Sequence, residues 1–510
     1  MAEASVVVSA GAMKHPRGLY ILFMTEMWER FSYYGMRGLL VFYLTQHFLF
    51  GDQKAFLIYG AYTALVYLAP VIGGLLADQY LGSRKAVTFG AILLVLGHFG
   101  MAFEGPGAIA DGNGSIQQSD FYLQIFYLSL ALIITGVGFL KANISTIVGA
   151  LYEQGDVRRD SGFTIFYMGI NLGAFLGALL AGWLGQTFGW SWGFGAAGVG
   201  MLFGLMVFRL GQPLLEGHAE PPDLKHLSEK VFAGLSREMI VYLGGIAAIF
   251  VIWKMIQYQE FVGRLLDGFS IITLTGVLVF SFFRCTKEER DRMLVATILI
   301  IFSVLFWALF EQAGSSLNVL ADRNIDRHVF GWEAPASMFQ SLNSFFIITL
   351  APLFSILWIR LGSTGREPST PLKFGIGIGL LGLGFLALAF GLGQAGDDGR
   401  APLIWLVLIY LLHTMGELCL SPVGLSMVTK LSVMRVVGFM MGVWFLASAY
   451  ANFVAGRIAQ LTSGGGHGEG AQSVATYIDV YSNVGLLAVG VGVFVGIIAP
   501  LLKKRMHGIH

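Results

Sequence analysis

Charge is what this sequence has least of. Asp, Glu, Lys and Arg make up 12% of its 510 residues, about half the share of an average soluble domain. Hydrophobic residues make up 55%, and an aqueous surface cannot be assembled from the remainder. The composition is that of an all-α polytopic membrane protein. Cysteine is nearly missing too: Cys285 and Cys419 are too few for a disulfide framework or a thiolate metal cluster. A formal net charge of +1 gives no electrostatic footprint for nucleic acid. The N-terminus lacks a cleavable signal pattern, because Val6-Val7-Val8 is short and Lys14 and Arg17 follow it, so the first span is expected to direct insertion. No HExxH zincin motif occurs. No catalytic residue, metal ligand or cofactor is therefore expected.

Glycine, by contrast, is plentiful at 68 residues, and it lets membrane helices approach closely. Apolar runs of spanning length are expected near 18–48, 56–78, 85–104, 121–150, 161–188 and 190–211. A polar segment from Gly211 to Lys230 follows, with Pro213, Pro221 and Pro222. Further spans are expected near 231–256, 262–283, 292–320, 335–361, 372–394, 401–431, 435–462 and 478–502. The count of about fourteen divides into a six-helix bundle at 1–212, a linker with an extra helical pair at 213–290, and a second six-helix bundle at 291–510. Two such bundles suggest a transporter with its site between the halves, near the bilayer midplane.

Orientation follows from the basic residues of the short loops. Lys14/Arg17, Arg84/Lys85, Arg158/Arg159, Lys225/Lys230, Lys287/Arg290, Arg366/Lys373, Lys430/Arg435 and Lys503/Lys504/Arg505 share one side if every span crosses. The other side holds mainly Lys54, Arg323, Arg327 and Arg400. The positive-inside rule then makes both termini cytoplasmic.

The first span carries an unusual stripe. Glu26, Glu29, Arg30, Tyr33, Tyr34 and Arg37 fall on one face of a helix. Charge on that face is too costly to point at lipid, so it must meet a bundle interior or a water-filled cavity. A purely structural ladder of ion pairs is the plainer alternative; two carboxylates one turn apart, beside an arginine and two tyrosines, suit a proton and anion site. Few other ionisable residues lie deep in apolar runs: Lys141 in the fourth span, and Glu311 and Glu417 in the first and fourth spans of the C-terminal bundle. The N-terminal set thus holds three cations and two carboxylates, and the C-terminal set two carboxylates. One excess carboxylate is a candidate to hold a proton. A cleft positive on one wall and negative on the other fits a zwitterion better than a simple anion or cation. Tyr67, Asn171, Asn343 and Trp444 extend the polar and aromatic lining. For any Tyr or Trp taken singly, core packing is the plainer reading, and His98 and His413 read as satisfied packing residues.

Two stretches carry a family likeness. Glu26-x-x-Glu29-Arg30-Phe31-x-Tyr33-Tyr34-Gly35 resembles the ExxERFxYYG signature of proton-dependent oligopeptide transporters, and Phe163-x-x-Phe166-Tyr167-x-x-Ile170-Asn171-x-Gly173 resembles their FxxFYxxINxG signature. Gly73 to Lys85 is similar to the loop motif between the second and third helices of the major facilitator superfamily. The resemblance runs over the whole chain, and the central helical pair is what bacterial members carry. It implies a major facilitator fold and proton-coupled uptake of di- and tripeptides across the inner cell membrane. It also implies roles. Arg30 and Lys141 would hold the peptide carboxylate, with Tyr33, Tyr34 and Tyr67 beside it. Glu417, Asn171 and Asn343 would receive the peptide N-terminus, and Trp444 would line a side-chain pocket. Glu26 and Glu29 would couple to protons and pair with Lys141 or Arg30; Glu311 would pair with Arg37 across the bundles.

One departure stands out: animal members carry a histidine early in the second helix, and no histidine occurs here from 56 to 78. Proton coupling would then rest on carboxylates. The competing functions are transport of another solute, such as a nitrate-like anion or a drug-like cation, and an intramembrane enzyme or sensor.

Overall fold

The computed structural model describes residues 14–111, 115–153, 155–232, 234–396, 398–463 and 474–509; the Val6-Val7-Val8 run lies outside them. Helix is the only secondary structure of any length, as a bilayer demands of a single-chain bundle, because each backbone group must be satisfied within its own segment. Six long helices come first: α1 (Arg17–Phe42), α2 (Asp52–Leu76), α3 (Gly82–Ala102), α4 (Asp120–Ala150), α5 (Arg159–Phe188) and α6 (Trp190–Gly211). A polar linker with the short α7 (Leu224–Ser228) leads to the pair α8 (Arg237–Met255) and α9 (Gln259–Arg284). The second bundle contains α10 (Lys287–Phe310), the short α11 (Ser316–Asn324), α12 (Ser341–Ser363), α13 (Thr370–Leu392), α14 (Leu403–Leu431), α15 (Val437–Leu461) and α16 (Val474–Arg505).

Among the described residues, twelve stretches are long and apolar enough to cross a membrane. One of them, Asp52–Ala102, joins two helices, and the charged α1 is not among them. Fourteen long helices result, and this is an integral multi-pass membrane protein.

Helix ends meet as alternate crossing requires. At one end, the basic loops lie together: Arg158 donates to the Lys14 carbonyl, Arg435 to the Arg284 carbonyl, and Asp291 meets Arg505 and His507. At the other end, His47 contacts the Glu104 carbonyl, Gln118 donates to the Phe48 carbonyl, and Ile325 pairs with Ala401. Each half has its own apolar core, one drawn chiefly from α1–α6 and the other from α10–α16.

The linker clasps the turn between α2 and α3. Gly82 there has φ +69°, a left-handed value that disfavours any side chain. A Cβ on it would also lie 2.5 Å from the nitrogen of Pro221. Arg84 fixes the crossing by pairing with Glu220 at 2.5 Å.

The hairpin α8–α9 straddles the halves. Ile249 of α8 packs on Leu93 and Ala131 of the first bundle, and Lys85 pairs with Glu238 at 2.6 Å. Helix α9 lies against α10 and α15, where Asp267 approaches Arg457 at 3.4 Å.

Two sequence expectations need correction. The expected span 292–320 is not continuous: α10 ends at Phe310, a 3₁₀ turn covers Glu311–Gly314, and α11 starts at Ser316. Hydropathy cannot see this break, because the turn's polar groups are satisfied inside the protein, with Gln312 donating to the Ala308 and Ala455 carbonyls at 3.0 Å. Nor is His98 a satisfied packing residue. It is fully buried, and among the described residues neither ring nitrogen has a hydrogen-bond partner; Nε2 of His413 also lacks one there.

Candidate functional site

The stripe on α1 is buried within the protein: Glu26, Glu29, Arg30, Tyr33 and Arg37 have almost no exposed surface. Helix α1 can carry it there because it packs on α5 and α6 along one side while its charged face looks toward α2, α4 and the second bundle. Arg30 gathers both acids of the stripe. Its Nε lies 2.9 Å from Glu26 Oε1 and 2.5 Å from Glu29 Oε2. Neither approach has hydrogen-bond alignment, and Arg30 Nη2 and Glu29 Oε1 are buried without a hydrogen-bond partner among the described residues. One guanidinium thus neutralises parts of two carboxylates and retains unused donors.

Seven residues on, two turns along the helix, Arg37 reaches the other half. Its Nη2 pairs with Glu311 at the end of α10, and its Nε donates to the Tyr59 hydroxyl of α2 at 2.6 Å. The α10 break is what brings Glu311 here, since the chain turns at the carboxylate instead of carrying it past on a helix. Asn318 of α11 then donates to the Gly38 carbonyl at 3.0 Å, tying the broken segment to α1.

Of the two cations expected for Glu26 and Glu29, Arg30 takes them. Lys141 makes no ion pair among the described residues; its ammonium sits 4.1 Å from the centre of the Tyr67 ring, a cation–π position. The reason is that Arg30 already occupies both acids of the α1 stripe, so α4 presents its lysine to the aromatic face of α2. Tyr33 and Tyr34 stack edge to face, with the Arg30 and Arg37 guanidinium carbons each 5.6 Å from one of their rings.

On the opposite wall, Asn343 of α12 donates to Glu417 Oε2 at 2.9 Å and to the Thr414 hydroxyl at 3.1 Å. Glu417 has no cation partner among the described residues. Asn171 does not join this group; its amide donates back to the Tyr167 carbonyl of its own helix at 3.0 Å. Trp444 of α15 lies over Gly424 of α14, where a Cβ would fall 2.5 Å from the indole.

The pairing leaves a simple remainder. Of three cations and four carboxylates, Arg30 takes Glu26 and Glu29, and Arg37 takes Glu311. Lys141 on the first wall and Glu417 on the second are left without an ion-pair partner among the described residues, and the Arg30–Glu26–Glu29 group keeps one negative charge in excess.

Beyond the Arg37–Glu311 and Asn318–Gly38 contacts, the halves are clasped at the end opposite the basic loops. Asp52 and Arg323 form a two-point ion pair at 2.6 and 3.0 Å, Gln46 donates to Asp322 at 3.2 Å, and Gln460 donates to the Gln53 carbonyl at 3.2 Å. Gln186 accepts from Ser337 at the same end. These contacts close the space between the bundles at this end.

Sequence reasoning missed Tyr59, Thr414, Asn318 and the Asp52–Arg323 clasp. Arg323 was visible as a loop cation, but its partner lies 271 positions away, beyond any local pattern.

Comparison with known proteins decides the family. The sequence profile PTR2, described as the POT family, matches residues 84–472. This chain belongs to the POT family. Its POT relatives match along nearly their whole length. The peptide transporter YePEPT of Yersinia enterocolitica is 38% identical, with 89% of this chain and 88% of that protein aligned. The dipeptide and tripeptide permease A of Serratia proteamaculans is 33% identical over 98% of this chain and 94% of that protein. Among solved structures, the peptide transporter POT in complex with sulfate superposes with a TM-score of 0.81 at 35% identity, covering 97% of this chain and 96% of that one. A POT family transporter in complex with 5-aminolevulinic acid gives 0.79 at 30% identity, covering 96% and 97%. The fold is that of these transporters, two six-helix bundles with an added pair.

Proposed function

We propose that this protein is a proton-coupled symporter importing di- and tripeptides by alternating access across the inner cell membrane. The observation that carries this reading is the pair of leftover charges, Lys141 on one wall and Glu417 on the other. A peptide with free ends offers a carboxylate to Lys141 and the unused donors of Arg30, and an ammonium to Glu417 and Asn343. Tyr33, Tyr34 and Tyr67 then flank the carboxylate end. Asn171 turns from its own helix to the backbone, and Trp444 packs against a side chain. A solute with charge of one sign leaves one wall unmatched, which costs affinity. That relatives are named peptide transporters and permeases supports the same choice. So does a family member in complex with 5-aminolevulinic acid, which carries an amine and a carboxylic acid.

The basic loops mark the cytoplasmic face, so both termini are cytoplasmic. Coupling rests on carboxylates that hold cations. Protonation of Glu311 releases Arg37, and protonation of Glu26 or Glu29 frees Arg30, which lets the segments 1–212 and 291–510 rock about the bound peptide. The proton gradient drives this cycle without a cofactor, and the peptide leaves chemically unchanged.

The test is uptake of a labelled dipeptide into proteoliposomes with and without an inward proton gradient. Gradient-dependent accumulation, blocked by unlabelled di- and tripeptides, is the expected result. Equilibration without accumulation would remove the coupling roles, and absence of peptide flux would overturn the substrate.

A further inference from the structure

A second polar cavity lies far from the transport cleft. It occupies about 420 Å³ at the basic end, between α3, α6 and α8, and its lining includes Arg84, Lys85, Thr88, Arg209, Gln212 and Glu238. Two of its three cations are already paired, Arg84 with Glu220 and Lys85 with Glu238. Arg209, two residues before the end of α6, is exposed and has no ion pair or hydrogen bond among the described residues. Three cations against two carboxylates leave the cavity one positive charge in surplus, centred on Arg209. Gln212 adds a neutral donor to the same wall: its amide donates one hydrogen to the Thr88 hydroxyl at 3.4 Å and keeps the other, while Thr88 itself donates to the Arg84 carbonyl at 3.0 Å.

Apolar side chains complete the cavity. Phe89 and Ile92 form its deeper lining; Ile92 lies seven residues beyond Lys85, about 10 Å along the helix at 1.5 Å per residue. From there two exposed stripes run toward the bilayer centre, Ile92, Leu96 and Phe99 on α3, and Val199, Phe203 and Met206 on α6. Their spacings of three and four residues place each set on one face. A basic pocket at headgroup depth, beside exposed apolar stripes of acyl depth, is the arrangement that anionic lipid headgroups occupy between membrane helices.

We infer that the cavity between α3, α6 and α8 binds an anionic phospholipid, its phosphodiester on Arg209 with Gln212, and an acyl chain along the exposed apolar stripes of α3 and α6. A single phosphodiester balances the single surplus charge. The site is assembled from the first bundle and from α8, so an occupying lipid also fastens α8 to that bundle beside the Lys85–Glu238 pair. The inference does not rest on the substrate proposed above.

Native mass spectrometry of the full chain, equilibrated in detergent with equal amounts of phosphatidylglycerol, phosphatidylethanolamine and phosphatidylcholine, tests it. The wild type is expected to retain one phosphatidylglycerol in preference to the other two. Arg209→Gln should lower that retention about fivefold, the effect of removing one cation near a membrane surface. Lys504→Gln, an exposed cation at the same end but outside the cavity, should leave it unchanged. Because Arg209 holds no partner, its substitution leaves the fold intact, and thermal melting of the variant verifies this. Equal retention in wild type and Arg209→Gln overturns the inference, as does an equal loss in both variants. Preference for phosphatidylethanolamine overturns the charge argument. Displacement of the lipid by inorganic phosphate at millimolar concentration would make this a site for a soluble anion and overturn the acyl assignment.

Discussion

Gly314 and Tyr59 are so closely apposed that a Cβ on the glycine would fall 1.7 Å from the tyrosine hydroxyl. The same Cβ would lie 3.2 Å from Arg37 Nε. The absence of a side chain at the α10–α11 break is therefore what lets Arg37 hold Tyr59 and Glu311 together. Gly314→Ala is expected to push Tyr59 off Arg37, lower the melting temperature, and cut uptake at least tenfold, in line with the roughly 1–3 kcal/mol of an overpacked core site. Adding Tyr59→Phe, whose ring has no hydrogen bond to keep, should recover part of the stability. Independent, additive losses in the double variant would refute the contact as the cause.

The Arg37–Glu311 pair crosses between halves, so removing its charge should affect coupling more than binding. Glu311→Gln retains the shape of the acid and loses its response to protons. Proton-driven accumulation of a dipeptide should disappear while exchange of internal for external peptide persists. Uptake in this variant that still follows the pH gradient as in wild type would remove Glu311 from the coupling mechanism.

The leftover charges should report on the two ends of the substrate separately. Lys141→Ala is expected to weaken competition by free-carboxylate dipeptides about tenfold or more, within the range of a charged hydrogen bond. C-terminally amidated peptides, which lack the carboxylate, should lose little. Glu417→Gln should show the mirror image, discriminating free from N-acetylated peptides. Competition assays with the four peptide forms read both at once, and equal losses for all forms in one variant would mark that residue as structural.

Not every acid at the basic end can contribute to the pH response. Asp156, in the loop between α4 and α5, accepts from the Arg158 side chain and backbone, which hold its carboxyl down at about 2. A depressed value means that the turn's stabilisation is present above the ordinary carboxylate range and is lost only as pH falls through about 2. Between pH 5 and 8 this group stays ionised. Asp156→Asn should consequently leave the pH profile of uptake unchanged while making the loop more sensitive to protease. A shifted profile would show a coupling route through this loop.

The sequence alone determined the helical class, the approximate limits of fourteen spans, and which ionisable residues are buried. The physical reason is the bilayer itself. Apolar length and the cost of lipid-facing charge are local properties that need no knowledge of neighbours. Expected and observed spans accordingly differ mostly by a few residues, as for 121–150 against Asp120–Ala150. Which charge meets which was a different matter. Arg30 and not Lys141 holds Glu26 and Glu29, Asn171 turns back on its own helix, and Glu311 reaches Arg37 because α10 breaks at that point. Those outcomes depend on how helices hundreds of residues apart pack and which donor arrives first, and only the tertiary structure decided them.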